Sequence, residues 1–127
     1  MVNTSRAALA ASVLAAAVAA SAQFDISVNP HPVRNRVTAR VFITVPDASW
    51  QGGRPRGWGE VLVRLRHKRT GQVITRFFRF SITPNGPQTG RGIIRLDWHP
   101  DFQSVPGSEL RVNLDNGWRR TIPLKVQ

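Results

Sequence analysis

The stretch GWGEVLVRLRHKRTGQVITRFFRFSI, residues 57–82, decides the fold. In its first half Val61, Val63 and Leu65 alternate with Leu62, Arg64 and Arg66, and a repeat of two sends successive side chains to opposite faces of a pleated strand. Arg69, Thr70, Gly71 and Gln72 supply a turn. Residues 73–82 return as a second strand. They are rich in the β-branched and aromatic side chains that suit a half-buried pleated surface, with Arg76 and Arg79 among the phenylalanines. The expected product is one long β-hairpin, apolar and cationic at once.

The same period continues on either side. Val37, Ala39, Val41, Ile43 and Val45 make an inward set, with Thr38, Arg40, Phe42 and Thr44 facing the other way. Before them, residues 24–29 alternate and stop at Asn29-Pro30-His31-Pro32, where two prolines remove backbone donors and force an edge-like path. Downstream, Ile94, Leu96 and Trp98 face inward and Ile93, Arg95 and Asp97 outward. Leu110, Val112 and Leu114 then oppose Arg111, Asn113 and Asp115, and Ile122, Leu124 and Val126 form the last inward set. Asn116-Gly117 reads as a type I′ hairpin turn, because both residues tolerate positive φ. Pro123 marks the final strand as an edge or a bulge. Residues 83–90 and 99–108 read as turn-rich connections.

This gives about seven strands, at 24–29, 36–45, 60–68, 73–82, 91–98, 109–115 and 118–126, and no convincing 3.6-residue period after residue 22. The expected class is all-β: a seven-stranded antiparallel β-sandwich of two sheets packed face to face, residues 23–127, following an Ala-rich N-terminal helix. In strand number and spacing the outline resembles the immunoglobulin-like or fibronectin-like domains of secreted bacterial proteins. The chain contains neither cysteine nor tyrosine, so the paired cysteines and tyrosine corner of true immunoglobulin domains are missing. A small jelly roll or an open barrel is the alternative, because strand count does not determine strand order.

Residues 1–22 have the three-part layout of a secretory signal peptide: Arg6, an apolar run over 7–20, and Ala20-Ser21-Ala22 as a small-x-small cleavage site. The run is shorter than the roughly 20 residues of a membrane-spanning helix. Cleavage would start the mature chain at Gln23 and expose it outside the cytoplasm, in the periplasm or secreted; a retained assembly helix is the competing reading. An exported chain without cysteine fits a bacterial envelope better than a small disulfide-bonded animal domain. At 127 residues the chain has room for one domain.

Eighteen basic residues against seven acidic ones give a net charge of +11, which predicts attraction to polyanions. Sixteen of the eighteen are arginine, whose planar fork matches phosphate, sulfate and carboxylate. Arg64, Arg66 and Lys68 alternate along one strand, and Arg40, Arg79, Arg95 and Arg111 also lie opposite the apolar sets of their strands. Together they form the expected anion-binding face; an ordinary solvated face is the plainer use of the same pattern. The long loop PDASWQGGRPRGWG, residues 46–59, brackets Arg54 and Arg56 between Trp50 and Trp58. An indole beside a guanidinium suits a sugar ring, a base or a lipid headgroup; alternatively Trp58 folds back to close the end of the body. Trp98 and Trp118 are expected at the core or its edge.

Catalytic patterns are lacking: the sequence has no nucleophile elbow, phosphate-cradling glycine loop or HExxH. His99, flanked by Asp97 and Asp101, reads as a plain turn rather than a metal or acid-base cluster. The expectation is a non-enzymatic module, without cofactor or metal, for an anionic polymer or an acidic protein surface: envelope polysaccharide, lipopolysaccharide, acidic protein or nucleic acid. A structural subunit of a virion, pilus or surface assembly is the first alternative, and a secreted inhibitor or toxin-like protein acting through the Trp50 to Trp58 loop is the second.

Overall fold

Eight strands run through residues 25–46 and 55–127, the parts of the chain that the computed structural model describes. They are β1 (Asp25–Asn29), β2 (Thr38–Thr44), β3 (Gly57–His67), β4 (Val73–Pro84), β5 (Thr89–Arg95), β6 (Phe102–Ser104), β7 (Glu109–Leu114) and β8 (Arg119–Pro123). The expected signal peptide, and Trp50 and Arg54 of the long loop, lie outside the described residues. Among the described residues there is no helix.

The β3–β4 hairpin is the centre of the sheet, as the alternation over residues 57–82 implies. Its ladder is unbroken from Gly57 opposite Ile82 to Arg66 opposite Val73. The strands lie in the order β1-β2-β5-β4-β3-β7-β8, with β6 pairing the far end of β3 beyond β7. The sheet therefore curls as one continuous antiparallel layer, a half-barrel, where two separate layers were expected. The join is β4: its first ten residues pair with β3, and only Thr83 and Pro84 pair with β5.

Phe80 fills the inside of that bend. Its ring packs where side chains on Gly59, directly across the ladder, and Gly92, on β5, would otherwise stand. Both positions are glycine because the aromatic ring occupies their Cβ space. The inward sets from all parts of the sheet form one buried cluster that includes Val41, Ile43, Val61, Val63, Leu65, Leu96 and Leu110. Each such side chain, fully withdrawn from water, stabilises the fold by about 1.5–3 kcal/mol before its ordering entropy is counted.

Every neighbouring pair on the seven-strand path is antiparallel, so β1 and β8 at its two ends run in the same direction. The curl brings their continuations together in the one arrangement this permits, a parallel bridge between Val33 and Val126. The Val33 N–H donates to the Lys125 carbonyl at 2.9 Å and the Gln127 N–H to the Val33 carbonyl at 2.7 Å. Below the bridge the two edges diverge around a cleft of about 250 Å³ lined by Ile26, Val28, His31, Ile122, Pro123 and Leu124.

Four details depart from the sequence reading. Strand β6 falls in the expected 99–108 connection; between it and β7, residues 105–108 stand opposite only Val63 and Arg64, so two extra residues bulge out. Gly107, with φ of 113°, takes the left-handed backbone that the bulge requires. Val37 is 40% exposed rather than inward, because Arg36 adopts a φ of 62° and the chain joins β2 only at Thr38. The Asn116-Gly117 turn is a three-residue loop: the Gly117 N–H donates to the Leu114 carbonyl and the Leu114 N–H to the Trp118 carbonyl. Gly117 alone has positive φ there, the pattern of a type I turn followed by a glycine bulge. Finally, β8 ends at Pro123 rather than running on to residue 126, although beyond it the Leu124 N–H still donates to the Ser108 carbonyl, Leu124 is buried and Val126 packs against the core.

Candidate functional site

Strand alternation and register place the cationic side chains. In the half formed by β4, β3, β7 and β8, the outer face carries a cross-strand row of Arg79, Glu60, Arg111 and Thr121. Next to it runs a row of Ser81, Trp58, Asn113 and Arg119. The six residues contributed by β3, β7 and β8 to these two rows, together with Val112, line an open cleft of about 280 Å³. Trp58 thus lies on the outer face and is 38% exposed, not folded over the end of the body.

The reason is on the neighbouring strand. The Arg79 guanidinium stacks over the indole, 4.3 Å from the ring centroid, held by attraction between the cation and the negative ring face. The same guanidinium lies 3.5 Å from the Glu60 carboxylate, whose side chain is only 15% exposed. Glu60 is therefore the floor of the cleft, flanked across the sheet by Arg79 and Arg111. Arg111 is 3.5 Å from Glu109 on its own strand, but both are well exposed, and such pairs contribute about 1 kcal/mol or less. Arg119 lies diagonally across the ladder from Arg111.

The other expected residues divide between places. Arg64 and Arg66 are exposed on the outer face of β3, at the hairpin end of the same half. Arg40 and Arg95 lie on the outer face of the β1–β2–β5 half, Arg40 opposite Ile93 and Arg95 opposite Thr38, with Arg91 two residues before Ile93. Lys68 sits in the turn after β3, where its backbone N–H donates to Asp101. Arg56 precedes β3, and its carbonyl accepts the Asp115 N–H. The seven expected anion-binding residues are thus spread over two parts of the convex surface and a turn.

Arg119, Asn113, Thr121 and Glu60 are the cleft residues that the sequence reading did not select. The usable signal was the inward set Ile122, Leu124 and Val126, which puts 119 and 121 on the outer face. His99 contributes to a turn: the Phe102 N–H donates to the His99 carbonyl, and the Asp101 N–H donates to His99 Nδ1 at 3.0 Å. The same Nδ1 lies 3.5 Å from the Asp101 carboxylate, but its lone pair is committed to the backbone. Asp97 instead pairs with Arg36, at 3.0 Å.

The chain matches no protein-family model, and neither a curated protein nor a solved structure is significantly similar to it.

Proposed function

We propose that this is an exported, non-enzymatic β-domain that binds an anionic polymer across the outer face of β4, β3, β7 and β8. The observation that carries this reading is the cleft itself, lined by Trp58, Arg111 and Arg119 on one solvent face, with Arg79 stacked on the indole beside it. Arg79 and Arg111 each lie beside an acid, Glu60 and Glu109, but eighteen basic residues outnumber seven acidic ones over the chain, so the excess positive charge gathered on neighbouring strands destabilises the sheet. A bound polyanion relieves that repulsion and releases its own counterions. We also read the curled sheet as a sandwich of the immunoglobulin or fibronectin kind, its halves facing each other over the single core. The Ala-rich residues 1–22 act as the export signal, leading to the periplasm or the exterior.

The test is equilibrium binding to a sulfated polysaccharide as salt is raised. Affinity is expected to fall about tenfold or more between about 50 and about 200 mM salt, and further in Arg64→Ala/Arg66→Ala. Binding that is absent, or indifferent to both salt and substitution, overturns the reading. The assembly-subunit reading draws on Phe77 and Ile93, 58% and 55% exposed on the outer surface. Sedimentation shows whether the protein self-associates and whether Phe77→Ser abolishes that.

A further inference from the structure

Resting on that anion-binding reading, we infer that the cleft between Trp58 and Arg119 holds one ring of an acidic polysaccharide, a sugar bearing carboxylate or sulfate. Three features select this ligand. The first is Glu60, which stands in the cleft between two arginines. A carboxylate only accepts hydrogen bonds, so it receives the hydroxyl protons of a sugar, whereas a phosphodiester linkage carries no proton to give it. Asn113 and Thr121, beside it in the lining, add an amide and a hydroxyl able to donate or accept.

The second feature is size. A cleft of about 280 Å³ is small for a drug-sized ligand and suits a single pyranose ring of a longer chain that continues over the open sheet. The third is the pairing of an aromatic wall with forked cations. One face of the Trp58 ring is covered by Arg79; the remaining exposed surface serves the C–H side of a sugar, while Arg111 and Arg119 grip its anionic substituent through charge-assisted hydrogen bonds. Nucleic acid calls instead for a groove of cations without an intervening acid, with aromatic rings free to stack on successive bases. Here the cations alternate with Glu60, and a single stacked tryptophan faces the cleft.

The experiment compares an acidic oligosaccharide with a single-stranded oligonucleotide of equal charge, by titration calorimetry at one fixed ionic strength. The purified protein is expected to bind the oligosaccharide about tenfold more tightly. Arg119→Gln and Trp58→Ala should each weaken that binding about tenfold and weaken the oligonucleotide much less, while Glu60→Gln, which removes a negative charge facing both ligands, should strengthen the oligonucleotide more than the sugar. Arg119 is exposed, so its variant tests the site even where Trp58→Ala folds poorly. Equal affinity for both ligands, with Arg119→Gln weakening both alike, removes the sugar assignment and leaves general anion binding standing. No binding of either ligand removes both.

Discussion

The bend at Phe80 makes a quantitative demand on two glycines. A methyl placed on Gly59 would meet the Phe80 Cζ and lie 2.6 and 2.8 Å from Cε1 and Cε2. Unstrained carbon atoms approach to about 3.5–4.0 Å, so the ring must retreat by roughly 1 Å within a close-packed interior. Phe80 is only 7% exposed, and on its other side Gly92 admits it just as closely. Overpacking of this kind costs about 1–3 kcal/mol. Replacing a strand glycine recovers roughly 0.5–1 kcal/mol of backbone entropy, so Gly59→Ala should destabilise by a net 1–2 kcal/mol or so.

Phe80→Ala alone should cost about 3–5 kcal/mol through the void it leaves. In that background the methyl on Gly59 enters empty space, and Gly59→Ala becomes neutral or stabilising. The coupling between the two substitutions is then about 1.5–3 kcal/mol. Urea unfolding of the four proteins, with equal m-values, measures it directly. Gly92→Ala with Phe80→Ala is a second, independent cycle. Additivity within about 0.5 kcal/mol in both cycles would refute the claim that these glycines exist to admit the ring.

Other predictions test the closure and the turns. Asn35 donates from Nδ2 to the Trp98 carbonyl and accepts the Trp98 N–H, at 3.0 and 2.9 Å, so its amide replaces a missing strand neighbour. Asn35→Ala should cost about 1–3 kcal/mol by leaving part-buried backbone groups unpaired, measured as a lower urea midpoint, with Asn35→Asp intermediate. Deleting residues 125–127 removes the backbone bonds to Val33 and Asn35 and should cost about 1 kcal/mol per bond, read as faster amide exchange at Val33. Gly117 has φ of 94° and open space at its Cβ, so Gly117→Ala should cost about 1 kcal/mol from backbone strain alone, seen as a small drop in melting temperature.

Alternation made most of the core legible. Ala39, Val41, Ile43, Val61, Val63, Leu65, Ile94, Leu96, Leu110, Val112 and Leu114 are buried as their period requires, because a strand with one wet face has only one way to turn. Val37 escaped the pattern because a left-handed residue precedes it, and periodicity does not register a single φ. Strand β6 was hidden by Pro106 and Gly107, which read as a connection although they only bulge between two segments lying along the same neighbour. The curl was illegible because it depends on how far the β4 ladder extends, by two residues, onto β5. The cleft needed register as well as face. Opposite Asn113 a two-residue turn places Arg120, while the three-residue loop actually formed places Arg119, and the outward parity of 119 and 121 agrees only with the latter.

Salt should act on this protein in two opposite directions. The chain carries a net charge of +11, and self-repulsion at low ionic strength works against the compact state. Raising salt toward about 0.1 M shortens the screening length to about 10 Å, so the melting temperature of the free protein should rise by a few degrees, the counterpart of about 1 kcal/mol or less in a domain this size. Over the same range, affinity for a polyanion should fall, because counterion release loses its driving force. Substituting Arg119 by glutamine should imitate both effects at constant low salt, raising the melting temperature slightly while weakening the ligand. If the melting temperature instead stays level or falls as salt increases, the arginines are not strained against one another in the free domain, and an anionic partner has no such repulsion to relieve.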